Sequence, residues 1–213
     1  MRHIMVLNPK GGCGKSTLAT NLASYFAVKG KKVAIVDYDP QRSSLDWIER
    51  RPANRPAIAG VEGYVDGMRH LPRSADIAIL DAPARTMGPE LTNLLHHAET
   101  ILVPVMPSLI DMQATAKFID TVLATPTMKN RKARLAVVAN RVKQNTVIFD
   151  ELDEFLRAQK VPYVATLREA QNYIRAYIRG LGIYELPDYL AWPDKEDWEP
   201  LLDWLNSRAS RPR

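Results

Sequence analysis

Cysteine is almost missing from this chain of 213 residues: Cys13 stands alone, so no internal disulfide can form and no paired-thiolate metal site can be built. Such usage fits a reducing cytosol. No apolar run approaches the roughly eighteen residues that a membrane span needs, and no basic leader with an apolar core precedes a small-residue cleavage site. These absences exclude a membrane-embedded chain and predict one that is not exported. Internal repeats and low-complexity blocks are also missing, which excludes a repeat array.

What the chain does contain is the balance of a folded protein, with 46% hydrophobic and 25% charged residues. Its length suits one sizeable core, so residues 1–213 are expected to form a single domain with a short accessory end. The net charge of +5 favours polyanions such as nucleic acid or acidic lipid headgroups, although a mildly basic solvated surface carries the same charge.

Short apolar runs rich in β-branched residues recur at 3–7, 33–36, 77–80, 101–105, 135–139 and 163–165, the pattern of buried parallel strands. Between them apolar residues repeat at helical spacing, as at Leu18, Leu22, Tyr25 and Phe26, or at Leu109, Met112, Ala116 and Ile119. Alternating strands and helices predict a three-layer α/β fold, a mostly parallel central sheet with helices on both faces. Residues 50–59, with Pro52 and Pro56, read as a surface connection. Near the end, Trp198, Leu201, Leu202 and Leu205 share one face of a helix expected at about 194–205. Its polar face carries Asp194, Glu196, Asp197, Glu199 and Asp203, which acidic lipids would repel, so the helix is expected to pack on the domain rather than on a membrane. Arg208, Arg211 and Arg213 then read as a loose basic tail over 206–213.

The most specific signal follows the first strand. Lys10-Gly11-Gly12-Cys13-Gly14-Lys15-Ser16-Thr17 lies between a strand and a helix and matches a phosphate-binding loop. Its glycines let backbone N–H groups converge on phosphate oxygens at the positive end of the following helix. Lys15 is placed to reach the β- and γ-phosphates, Ser16 to bind Mg²⁺ through its hydroxyl, and Thr17 to lie near the α-phosphate. Two features depart from the general pattern: Pro9 stands where the first glycine is usual, and a second lysine, Lys10, opens the loop.

Two further strands end in acids. One delivers Asp37 and Asp39 within Asp37-Tyr38-Asp39-Pro40-Gln41, and the other delivers Asp81 after Ile77-Ala78-Ile79-Leu80. Ligands of open α/β sheets bind beyond the carboxyl ends of the strands, where all three acids can reach a nucleotide. An Asp-Pro turn with acids that merely cap is the alternative for Asp37 and Asp39. Asn140 closes the run 135–139, and its amide offers the donor and acceptor that match the N6 and N7 edge of adenine, favouring ATP over GTP. A plain turn asparagine is the other reading, and no guanine-reading Asn-Lys-x-Asp motif occurs.

The order lysine, glycine, glycine, any residue, glycine, lysine, serine resembles the deviant Walker A motif of the ParA/MinD family of partitioning and positioning ATPases. The resemblance implies that Lys10 crosses a dimer interface to the partner's ATP and offsets charge on the transferring phosphoryl group, as an arginine finger does elsewhere. It also implies that Asp39, the second acid of the family's D-x-D-P-Q switch segment, helps to place the attacking water, with Asp37 near the magnesium waters. Asp81 looks like the Walker B element and would hold the Mg²⁺ shell. Lys10, Lys15 and Asp39 thus form the implied catalytic set, and Asn140-Arg141 corresponds to the family's pair beside the base. Pro104-Val105-Met106-Pro107-Ser108, with Asp111 and Ala114-Thr115, is similar to the ParA type more than to the MinD type, and the likeness covers roughly residues 1–180.

In that family ATP closes a sandwich homodimer on a matrix, and a partner protein stimulates hydrolysis to release it; the matrix is nonspecific DNA for the ParA type and membrane for the MinD type. Arg168, Arg175 and Arg179, at spacings of seven and four, make one basic stripe if they share a helix, with Arg141 and Lys143 as further basic residues. Such a stripe neutralises phosphates without reading bases, whereas a solvated face with internal ion pairs is its other reading. DNA is favoured over membrane, and a cytoplasmic, nucleoid-associated protein of the small ParA type is expected, without a sequence-specific DNA-binding N-terminal domain. No second constellation of nucleophile, base and acceptor marks a small-molecule reaction. A dethiobiotin-synthetase-like ligase is the enzymatic rival, while iron–sulfur carriers of the family need paired cysteines. Plasmids, chromosome loci, chemoreceptor clusters and carboxysomes are cargoes of such proteins. The switch segment with Ser43-Ser44 and Asp46-Trp47 after it is similar to the carboxysome-positioning McdA type.

Overall fold

The computed structural model of the protein describes residues 1–212; Arg213, one of the expected tail arginines, lies outside the described residues. Seven strands, β1 (Arg2–Val6), β2 (Val33–Asp37), β3 (Ile58–Glu62), β4 (Ile77–Asp81), β5 (Thr100–Val105), β6 (Arg134–Val142) and β7 (Tyr163–Arg168), form one sheet in the order β3-β2-β4-β1-β5-β6-β7. Every neighbouring pair is parallel, where the sequence predicts a mostly parallel sheet. Parallel neighbours need crossovers, and the connections carry α1 (Lys15–Val28), α2 (Ser43–Glu49), α3 (Gly63–Asp66), α4 (Gly88–Leu95), α5 (Leu109–Leu123), α6 (Pro126–Lys129) and α7 (Val147–Arg157). After β7 come α8 (Gln171–Ile178) and α9 (Asp188–Asn206).

Strand alternation produces two cores, one on each face. Met5, Leu7, Val36, Leu80 and Val103 pack with Leu91 and Leu95 of α4, Phe118 of α5 and Leu152 of α7. Ile4, Val6, Ile35, Ile79 and Leu102 turn the other way, onto Leu18, Leu22 and Phe26 of α1, Trp47 of α2 and the apolar stripe of α9. Each such side chain contributes roughly 1.5–3 kcal/mol by its burial, so the strand ends that carry the site rest on a rigid base.

β3 is the strand that the sequence does not announce; residues 50–59, expected to be a connection, run into it. It lies at the edge of the sheet, only Ile58 and Val61 are buried, and Gly60 interrupts the β-branched pattern. A Cβ there would stand 2.8 Å from Cδ2 of Leu45 on α2, so a larger residue would have to displace the end of that side chain.

α9 begins six residues earlier than the expected 194 and buries Trp198, Leu201, Leu202 and Leu205, as their spacing predicts. Asp194 is a correction: it is not on the solvent face but 2% exposed, accepting a hydrogen bond from Asn172 Nδ2 at 2.7 Å. The tail is a second correction. Arg2 donates to the Leu205 carbonyl and to Ser210 Oγ, Thr100 Oγ1 donates to the Ser210 carbonyl, and Arg134 donates to the Arg211 carbonyl. Residues 206–212 are therefore tied down against the amino ends of β1, β5 and β6 rather than loose.

Candidate nucleotide site

β1, β4 and β2 end at one level: Val6 pairs with Asp81, and Asp81 with Asp37. From β1 the chain passes through Asn8 and Pro9 into the glycine loop. Asn8 is buried; its Nδ2 donates to the Pro104 carbonyl of β5 at 2.7 Å and its Oδ1 accepts the Lys10 N–H at 2.9 Å. Asn8 shapes the entry to the loop and is absent from the expected site residues; an asparagine two residues ahead of a loop residue is the signal that marks such a turn.

The loop closes at Gly14, the residue before α1. Its φ is +93, and a Cβ there would lie 2.2 Å from Nδ2 of Asn140, so glycine is required by conformation and by space. That Asn140 nitrogen donates to the Cys13 carbonyl at 2.8 Å. The expected adenine-reading amide thus spends one of its two N–H donors on holding the loop and keeps the other and Oδ1 for a base. Cys13 is 1% exposed, and burial pushes its thiol above the usual range; its contribution is backbone, not nucleophile. Lys15 Nζ donates to the Lys10 carbonyl at 2.9 Å, while Lys10 Nζ lies 3.4 Å from Asp111 Oδ1 in the first turn of α5.

Asp37 is fully buried. Oδ1 accepts the Asp39 N–H at 3.0 Å, and Oδ2 accepts those of Ser44 and Leu45 at 3.0 and 3.3 Å. Burial raises its pKa, and these backbone donors oppose the rise. Asp37 therefore anchors the start of α2, the capping alternative, and stands behind the site instead of offering a free oxygen to a metal. Asp39 is half-buried, with Oδ1 accepting the Gln41 N–H at 2.9 Å.

Asp81 is different. Oδ2 accepts from Ser44 Oγ at 2.5 Å, but Oδ1 is buried with no partner among the described residues. Burial pushes its pKa up to about 7, Asp37 adds to the rise, and the Ser44 and Ser16 hydroxyls and Lys15 oppose it. An orphaned buried carboxylate oxygen is costly unless a cation meets it, and oxygen donors from Asp81 and Ser16 suit a hard divalent ion. Among the described residues no three His, Cys, Asp or Glu side chains cluster as a metal cage, so such an ion would complete its shell with phosphates and water. Ser44, which positions Asp81, is another residue absent from the expected set.

A cavity of about 710 Å³ lies over the loop, walled by Gly11, Gly12 and the start of α1, by Asp39-Pro40-Gln41 and by Pro83-Ala84-Arg85. A second, of about 540 Å³, shares Gly12, Gly14 and Thr17 with it and extends past Asn140, Arg141 and Glu169 to Gln171 and Ile174 of α8. The two chambers suit a triphosphate and a nucleoside on adjoining sides of one loop. Arg141 donates to Glu169 Oε1 at 2.8 Å and Lys143 Nζ lies 3.3 Å from Oε2; together they hold the Glu169 carboxyl below its usual range.

The expected basic stripe does not form. Arg168 ends β7, Arg175 lies in α8 and Arg179 follows it, because the ladder beside Arg168 continues into the Glu169 N–H bond to Val142 O. Arg168 is turned inward, with Nε 2.8 Å from Asp197 Oδ2 and 3.7 Å from Asp194 Oδ1; this is the internal ion pairing that the sequence left open. Among the described residues Arg175 meets only Asn172 Oδ1, at 3.2 Å.

Over residues 4–183 the sequence matches the family described as the CobQ/CobB/MinD/ParA nucleotide binding domain. The chain is 29% identical over 209 residues to maintenance of carboxysome distribution protein A of Gloeobacter kilaueensis, spanning 95% of this chain and 90% of the relative. It is 28% identical over 192 residues to the chromosome-partitioning ATPase Soj of Thermus thermophilus, spanning 74% and 76%. The fold matches that of a Cyanothece McdA variant in complex with ATP at a TM-score of 0.72, over 94% of this chain and 96% of that one, with 16% identity. Glycine loop, acid-ended strands and parallel sheet come together in one lineage: this chain belongs to the CobQ/CobB/MinD/ParA nucleotide-binding family and is an ATPase of its ParA/MinD type.

Proposed function

We propose that two copies of this chain close on ATP and Mg²⁺ and that the dimer rests on nonspecific DNA. A small partner protein then stimulates hydrolysis and release, so that an intracellular cargo is positioned. Lys10 carries this reading: its ammonium turns to Asp111 and is not part of the wall of its own phosphate cavity. A cation on the rim of the loop suits a phosphate brought by a second copy.

In this account the N–H groups of the loop and the positive end of α1 bind phosphate oxygens. Lys15 exchanges the Lys10 carbonyl for the β- and γ-phosphates. Ser16 and Oδ1 of Asp81 would hold Mg²⁺, which supplies positive charge between the phosphates. Asp39, fixed by the Gln41 N–H, orients water at the cavity wall. Lys10 of one copy meets charge on the phosphoryl group held by the other. Asn140 Oδ1 and Arg141 lie along the base. Arg175, Arg179 and Lys143 are assigned to DNA; Arg168 serves the fold instead.

The apolar stripe of α9 is consumed by the sheet, which favours DNA over a MinD-like membrane surface; among the described residues no helix is long and apolar enough to cross a membrane. The likeness to a carboxysome distribution protein over 95% of the chain favours a carboxysome-type cargo and a cytoplasmic, nucleoid-bound site of action. Retardation of a random-sequence duplex tests this function. Binding is expected with ATP and Mg²⁺ but not with ADP, and it should fall steeply between about 50 and 200 mM salt. Pelleting with anionic vesicles and no shift of the duplex would move the reading to membrane. Turnover that depends on an added carboxylate-accepting substrate would move it to a ligase.

A further inference from the structure

Arg85 has no part in the scheme above. It follows the acid at the end of β4 in Asp81-Ala82-Pro83-Ala84-Arg85, and its φ is +64, a conformation that side chains other than glycine adopt only when their surroundings hold them there. Those surroundings are visible. The Ala82 N–H donates to the Val6 carbonyl at 3.1 Å and the Arg85 N–H to the Pro9 carbonyl at 2.9 Å, so the segment is stitched to the entrance of the glycine loop at both ends. Thr86, 1% exposed, closes it by donating to the Pro83 carbonyl at 3.1 Å.

The constrained backbone places Arg85, an exposed residue, at the wall of the cavity of about 710 Å³. Among the described residues no carboxylate pairs with it. Of the other arginines at positive φ, Arg42 lies 3.0 Å from Glu49 and Arg141 2.8 Å from Glu169, while Arg131 likewise has no carboxylate partner among the described residues. The fixed charges on that wall are Lys15 and Arg85 against Asp39. An unpaired guanidinium beside a phosphate cradle offers a planar fork of donors that matches phosphate oxygens better than an ammonium does.

Resting on the ATPase reading, we infer that Arg85 is a ligand of the γ-phosphate supplied by the chain's own β4–α4 loop, and that it sets the preference for ATP over ADP. The test is nucleotide affinity, measured by calorimetry with ADP and with a non-hydrolysable ATP analogue, for wild type, Arg85→Gly and Arg85→Lys. Glycine adopts positive φ freely, so Arg85→Gly removes the side chain while keeping the backbone, and its melting temperature should equal or exceed that of wild type. Its affinity for the ATP analogue should fall about tenfold or more, with ADP changed less than about twofold, and Arg85→Lys should recover only part. Equal losses for both nucleotides, or none, would overturn the assignment. If wild type hydrolyses ATP while Arg85→Gly keeps its ATP-to-ADP preference, only the Arg85 assignment fails. If wild type neither prefers ATP nor hydrolyses it, the ATPase reading fails and the assignment with it.

Discussion

The charge balance of the site turns on Asp81, a carboxyl buried beside Asp37 and raised to about 7. The sign of its effect on stability follows from that direction. A raised acid pKa means that the folded state holds the proton more tightly than the unfolded chain, so the contribution is complete below the ordinary value of 3.8 and is lost as pH rises through about 7. The melting temperature of nucleotide-free protein should therefore fall from about pH 5 to about pH 8, and Asp81→Asn should flatten that fall. Parallel curves for the two proteins would show that Asp81 is not the titrating group. Nucleotide affinity with Mg²⁺ should change in the opposite sense over the same range, because the cation needs the ionised carboxylate. Gly14→Ala tests the loop itself: with φ at +93 and Asn140 in the way, the variant should lose nucleotide binding and roughly 2 kcal/mol of stability in urea titration.

α2 is the element that links the site to the rest of the fold. Asp37 anchors its first turn, Ser44 holds Asp81, and Tyr177 OH donates to the Ser43 carbonyl at 2.9 Å. Farther along, Trp47 Nε1 donates to the Leu181 carbonyl at 3.1 Å, and just past the helix Arg51 meets Glu185 at 2.7 Å, both side chains nearly or fully buried. Glu185 also accepts from Ser24 of α1. Removing one partner leaves the other charge buried and alone, so Arg51→Ala should cost about 3–5 kcal/mol, read from the urea midpoint. None of these long-range contacts is legible in the sequence. The glycine loop is, because its determinants are consecutive, and so are α1 and the buried stripe of α9, whose periodicity is local. Asp37 reads equally well as ligand or cap, since either role asks for an acid at a strand end. The arginine stripe fails because Asp197, the partner that claims Arg168, lies 29 residues away and gives no local sign.

Taken as a molecule, the chain exposes Met87, Leu109 and Ile110 by 58–70%; Leu109 and Ile110 directly precede Asp111, the residue that holds Lys10. Large apolar side chains at that rim support contact with a second copy through the face that carries the nucleotide. Ile110→Lys should leave ATP binding intact and abolish an ATP-dependent dimer in light scattering. The central claim, that Lys10 works on the nucleotide of the other copy, is tested most directly by mixing two variants. Lys10→Ala keeps its own phosphate site but lacks the donated cation, and Lys15→Ala keeps Lys10 but lacks a working site. Each alone should be inactive, and the mixture should recover turnover, up to about one quarter of wild type if copies pair at random. Full turnover by Lys10→Ala alone, or a co-assembled mixture with no turnover, would contradict the account.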